Sequence, residues 1–109
     1  MKKKVYIAGP ITGDPDYREK FSNAADDIRW LGLEPVNPAE APEGLTYKEY
    51  IDRGLKLLME CDMICMLPGS GDSPGALLES HYARLAGLSY LRRYEGNGYF
   101  ITEKEEEND

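Results

Sequence analysis

Asp62-Met63-Ile64-Cys65-Met66-Leu67-Pro68-Gly69-Ser70-Gly71-Asp72-Ser73-Pro74-Gly75-Ala76-Leu77-Leu78-Glu79 is the stretch whose reading decides the fold. Met63 to Leu67 is continuously apolar, as a strand buried on both faces must be. Pro68 to Pro74 is a loop rich in Gly, Ser and Asp. Ser73 followed by Pro74 reads as an N-cap and the first position of a helix. The unit is therefore strand, loop, helix, with a carboxylate near the mouth of the loop. Glu79 is the unusual residue in it. Its helical neighbours at i−4, i−3, i+3 and i+4 are Gly75, Ala76, Tyr82 and Ala83, all small or apolar-bodied. Leu78 and Ala86 extend this apolar setting. A charge on such a face costs several kcal/mol (roughly) unless it is paired or hydrogen-bonded.

Outward from this unit the same alternation recurs. Lys3 to Ala8 reads as a strand, followed by the Gly9-Pro10-Ile11-Thr12-Gly13 turn. Asp14-Pro15 predicts the cap of a helix whose inward residues are Tyr17, Phe21, Ala24, Ala25, Ile28 and Leu31, stopped by Gly32. Leu33 to Val36 is a short strand closed by Asn37-Pro38. Thr46 and Glu49 form a capping box for a helix to about Cys61, with Tyr50, Ile51, Leu55, Leu58 and Met59 inward. The third helix spans about Pro74 to Ala86 and stops at Gly87. Ser89 to Tyr94 is a fourth strand, and Asn97-Gly98 signals a hairpin that returns Tyr99 to Thr102. The expectation is an α/β fold of three layers, flavodoxin-like or Rossmann-like. Its mostly parallel sheet of four or five strands carries helices on both faces. Loops after the first and third strands then meet at the carboxyl edge, where such folds bind ligands.

Composition bounds the functions. The chain has 109 residues, one domain with a modest core. Residues 1–102 read as that domain, and residues 103–109, with five acids and one lysine, as an acidic frayed tail. A net charge of −7 argues against a nucleic-acid polymer as partner. No stretch reaches membrane-spanning length, and no signal peptide is read at the basic start. Cys61 and Cys65 have neither redox nor zinc spacing, and read as buried free thiols of a cytoplasmic protein. His81 lies on another side of the helix from Glu79 and reads as a surface residue, with no metal cluster to recruit it. The first loop lacks the Walker and dinucleotide fingerprints, though its N–H groups could face an anion.

Four motifs in order then resemble a known family: Tyr6-Ile7-Ala8-Gly9-Pro10, Asn37-Pro38, Cys61-Asp62 and Ser73-x-Gly75-x-x-x-Glu79. Over about residues 4 to 91 the chain is similar to the nucleoside 2-deoxyribosyltransferase superfamily. It looks most like a compact phage and bacterial branch related to 2′-deoxynucleoside 5′-phosphate N-hydrolases. The resemblance implies cleavage of an N-glycosidic bond, with Glu79 as the nucleophile that takes the sugar covalently. It implies that Tyr6 orients Glu79, and that Gly9, Pro10, Ile11, Asp62, Ser73 and Gly75 contact substrate. It implies no cofactor and no metal, a nucleoside or nucleotide as small-molecule partner, and a homodimer or higher homo-oligomer. Serine six residues before the glutamate, where transferases carry aspartate, favours a 5′-monophosphate over a free nucleoside.

Two departures stand out. The superfamily's aspartate on the second helix, which helps protonate the leaving base, falls on Gly54. Asp52 is about 200° away around a helix and cannot substitute. Losing a general acid costs about 10²–10⁴-fold in rate. The first loop carries Pro10 and Thr12 where nucleotide hydrolases carry serine and arginine, and Arg18 or Arg53 could supply charge. An enzyme is the favoured reading, a nucleotide-binding module that lost efficient turnover the alternative, and a structural role for a salt-bridged Glu79 the last.

Overall fold

A computed structural model describes residues 2–93 and 99–102. Five strands form one sheet in the order β2-β1-β3-β4-β5. β1 (Lys4–Ala8), β2 (Glu34–Val36), β3 (Met63–Met66) and β4 (Ser89–Arg93) are parallel neighbours, and β5 (Tyr99–Thr102) pairs antiparallel with β4. Helices α1 (Tyr17–Trp30), α2 (Tyr47–Met59) and α3 (Pro74–Ala86) join the parallel strands. The expected three-layer α/β architecture is the observed one. The expected Asn97-Gly98 turn and acidic tail lie outside the described residues.

Strand alternation splits the core in two and aims the site. Val5, Ile7, Met63, Cys65 and Leu91 pack with Phe21, Ala24, Ala25 and Ile28 of α1 on one face. Tyr6, Ala8, Ile64 and Tyr90 pack with Leu58 of α2 and with Ala76 and Ala83 of α3 on the other. Register aligns Tyr6 with Ile64, and Ile64 with Tyr90, across the sheet. Tyr6 is therefore committed to the α2–α3 layer by its even place in β1. Both cysteines are buried, and neither forms a disulfide among the described residues. No helix among the described residues is long and apolar enough to cross a membrane.

The capping signals of α2 and α3 hold, although α2 ends at Met59 rather than near Cys61. Thr46 accepts from the Glu49 N–H at 3.2 Å while the Glu49 carboxylate accepts from the Thr46 N–H at 2.9 Å, a box that contributes about 1 kcal/mol. Ser73 caps α3 through the Ala76 N–H, and Gly87, at φ +78°, closes it in the left-handed region.

Other expectations are corrected. Asp14 does not cap α1. It accepts from the Asp16 N–H and pairs with Lys20, so Asp14-Pro15 shapes a turn and the helix starts two residues later, at Tyr17. Leu31 is 52% exposed because α1 ends at Trp30, before the position can turn inward. Met59 is 63% exposed because the buried line of α2 runs through Gly54 and Leu58, about 100° away. Leu78 and Ala86 also face outward. The apolar face around Glu79 is narrower than the sequence suggests.

Candidate active site

The carboxyl ends of β1 and β3 open between the first loop and the start of α3. A cavity of about 450 Å³ lies there, within the size range of small-molecule sites. Tyr6, Gly9, Pro10, Ile11, Ser73, Gly75 and Glu79 all line it, so seven of the eight residues singled out in the sequence meet in one place. The eighth, Asp62, does not line it. It precedes β3 and so stands at the amino edge of the sheet, where its carboxylate accepts from the Lys4 N–H at 3.0 Å. Its own N–H donates to the Lys4 carbonyl at 2.9 Å, so Asp62 clips the start of β1 to β3.

At the inner wall the Tyr6 hydroxyl donates to Glu79 Oε2. Tyr6 is fully buried on β1, an interior strand of the sheet. Burial and the Glu79 carboxylate push its phenol far above its ordinary value, so it stays a donor. Burial also raises Glu79 from 4.5 to about 7, against the opposing pull of the Tyr6 hydrogen bond. Glu79 Oε1 has no hydrogen-bond partner among the described residues. The arrangement is a carboxylate held by one oxygen, with its other oxygen free and its basicity raised. Such a group can act as a nucleophile or a general base.

The raised value makes Glu79 a cost to the fold above its titration. Between about pH 4.5 and about pH 7 the folded protein holds a proton on Glu79 that the unfolded chain has released. Stability therefore falls as pH rises through that window. Glu79→Gln is expected to remove this slope. It should be more stable than wild type at pH 8 by up to about 3 kcal/mol, at roughly 1.4 kcal/mol per pKa unit. Urea midpoints at pH 5 and pH 8 check this, and an unchanged slope in the variant would count against it.

Gly54 shows why no acid stands at this position of α2. A Cβ built there would lie 2.7 Å from Glu79 Oε2 and 2.7 Å from the Tyr6 hydroxyl. The space that a side chain would need is filled by the Tyr6–Glu79 pair.

The cavity also gathers residues that sequence reasoning missed or left unplaced. Ile7, Thr12, Phe21, Pro38, Tyr47, Tyr50, Ile51, Arg53, Asp72 and Pro74 complete its lining. Tyr50 and Ile51 carried an inward signal. Tyr47 lies four residues before Ile51 and shares its face, a signal that could have found it. Arg53 is held by a hydrogen bond to the Pro38 carbonyl at 3.2 Å, a contact between distant segments. Arg18 instead donates to the Ala39 carbonyl and stands over the Tyr17 ring at 5.3 Å, outside the cavity. Ser70 is buried and donates to the Ala8 and Leu67 carbonyls, tying the second loop to the end of β1.

Comparison with known proteins adds the following. The model of a family described as a domain of unknown function, DUF4406, matches residues 3–91. A Leishmania mexicana protein described as a 2-desoxiribosyltransferase is similar in structure, with a TM-score of 0.66 and 16% identity. The match covers 98% of this chain and 88% of that one, and at this identity it shows a shared fold. No curated protein matches the sequence.

Proposed function

The chain belongs to the DUF4406 family, and we propose that it cleaves the N-glycosidic bond of a 2′-deoxynucleoside 5′-monophosphate or deoxynucleoside. One observation carries this reading: inside a cavity of nucleoside size, Tyr6 holds Glu79 by a single oxygen and leaves Oε1 free. The fold shared with a protein described as a 2-desoxiribosyltransferase supports it.

In this reading Oε1 attacks the anomeric carbon through an oxocarbenium-like transition state, and the sugar is carried on Glu79. The Tyr6 phenol orients the carboxylate and, being held neutral, stays a donor throughout. Ser73 and the N-terminus of α3 face the cavity with a hydroxyl and the positive end of a helix dipole, suited to the 5′ end of the sugar or its phosphate. Water or a second base then takes the sugar.

The test is incubation of the purified protein with the four deoxynucleoside monophosphates and the four deoxynucleosides. Free base is read by chromatography and the sugar adduct on the Glu79 peptide by mass. Base release is the expected result. A second reading, a binding module without turnover, draws on Gly54, which leaves α2 without an acid beside the Tyr6–Glu79 pair. It predicts saturable nucleotide binding in calorimetry and no free base, a result that would remove the enzyme.

Self-association belongs to the same proposal. Leu77, Leu78 and Leu85 on α3 are 50%, 44% and 68% exposed, apolar surface that a second copy would cover. Light scattering is expected to give the mass of at least two chains, and a monomer at high concentration would count against it.

A further inference from the structure

Arg53 is the unexplained residue of the cavity. It is half-buried on α2, and Pro38 accepts one hydrogen bond from it. No carboxylate lies within salt-bridge distance of it among the described residues. A guanidinium has five N–H donors, and the remainder have no protein acceptor among the described residues. A half-buried, unpaired charge is unfavourable unless a ligand supplies the acceptor.

Its place on α2 separates it from the site suited to the 5′ end. Ile51 and Tyr47 point toward α3, each within 4 Å of where a Gly75 Cβ would stand. Tyr50 and Arg53 point the other way, to the carbonyls of Pro42 and Pro38. Gly54 lies between these two stripes, against the Tyr6–Glu79 pair. The cavity thus has two wings about Glu79. One holds Ser73 and the helix N-terminus, and the other holds Arg53. With the 5′ end of the sugar in the first wing, the base occupies the second.

We propose that Arg53 binds the carbonyl oxygen next to the glycosidic nitrogen of a uracil- or thymine-type base and stabilises that base as it leaves as an anion. The inference rests on the glycosidase reading above. Its chemistry follows from what α2 brings to the cavity lining, which is a permanent cation and no carboxyl group. An arginine does not give up its proton in a protein, so it cannot serve bases that leave by being protonated. Purines leave most readily when protonated at N7, and cytosine when protonated at N3. Uracil and thymine can leave unprotonated, because the negative charge at N1 spreads onto O2 and O4. A guanidinium aimed at O2 favours that charge as it develops, as an oxyanion-hole donor does.

The step balances without a co-reactant other than water. Glu79 Oε1 bonds to C1′ as the C1′–N1 bond breaks, and the electron pair passes to N1 and O2. Water then attacks C1′, Glu79 leaves as the carboxylate, and the base anion takes the proton that the water loses. The sum is neutral base plus free sugar, or sugar phosphate.

The experiment compares wild type, Arg53→Met and Arg53→Lys on the 5′-monophosphates of deoxyuridine, thymidine, deoxycytidine, deoxyadenosine and 5-fluorodeoxyuridine, and on deoxyuridine itself. Wild type is expected to favour the uracil and thymine substrates by about 10²-fold or more. Arg53→Met should lose about 10²–10³-fold on deoxyuridine monophosphate, the cost of removing one such donor. It should lose clearly less on the 5-fluoro substrate, whose base is the better leaving anion, and Arg53→Lys should recover part of the loss. An equal loss on every base points to a structural clasp and overturns the proposal. A loss that vanishes on deoxyuridine assigns Arg53 to the phosphate and also overturns it. If wild type releases base but prefers adenine or cytosine, the proposal falls and the glycosidase reading stands. If wild type releases no base at all, both fall.

Discussion

Glu79→Ala is expected to abolish base release, with a loss of at least about 10⁴-fold, the scale seen when a covalent nucleophile is removed. Glu79 is the carboxylate that the buried Tyr6 hydroxyl holds, and among the lining residues Asp72 is the other carboxylate, exposed on the loop before α3. Removing Glu79 leaves Tyr6 without an acceptor but relieves a buried acid, so the variant should fold and bind nucleotide. Base release that persists in Glu79→Ala would overturn the mechanism while leaving the fold reading intact. The pH profile carries a second signature. Attack needs the carboxylate, and burial raises its pKa to about 7. In wild type kcat/KM should therefore rise with pH through about 7 and level above it. A rise centred near the ordinary carboxylate range would separate the reacting group from Glu79.

Gly54→Ala is expected to lower kcat by about 10²-fold while the protein stays folded. The new Cβ would stand 2.7 Å from both Glu79 Oε2 and the Tyr6 hydroxyl. Tyr6 cannot give way, because its ring is buried on the interior strand β1. The Glu79 carboxyl must move, and a misplacement of roughly 1 Å at a reacting group costs about that factor. Against this, alanine is a better helix former than glycine by about 1 kcal/mol, which offsets part of the crowding in the denaturation midpoint. Gly54→Asp should not restore a general acid. It would press a second carboxylate onto Glu79 and raise its pKa further, since like charges disfavour ionisation. Base-release rates beside urea midpoints separate these effects. A rate at or above wild type in either variant would show that the pair does not need the bare α2 backbone.

Gly54 also shows where reasoning from residues stops. From the sequence it is an acid lost from a familiar position. In the structure it is a contact surface, because the space beside it is taken by a tyrosine and a glutamate from elements far away in the chain. The helices, by contrast, were legible. The capping box at Thr46 and the Ser73-Pro74 start depend on neighbours within four residues, so local pattern suffices. Errors came where local pattern is ambiguous. Asp14-Pro15 has the composition of a cap, yet a salt bridge to Lys20 and an Asx turn use it otherwise. Asp62 sits in a motif beside a strand, and only its position at the amino end of β3 separates it from the cavity at the other end.

The sequence by itself determined the alternation of strands and helices, the apolar middle strand and the carboxylate on an unusual helix face, because periodicity and caps are local properties. It also brought seven of eight candidate residues to one edge, since in a parallel sheet the loops after adjacent strands converge. Only the tertiary structure decided which side chains meet across that edge. The order β2-β1-β3 sets α2 beside α3 over the even residues of β1. That packing puts Gly54 against Tyr6 and Glu79 and turns Arg53 into the cavity. These contacts join residues tens of positions apart, and their distances follow from strand order and helix packing, which no local pattern encodes.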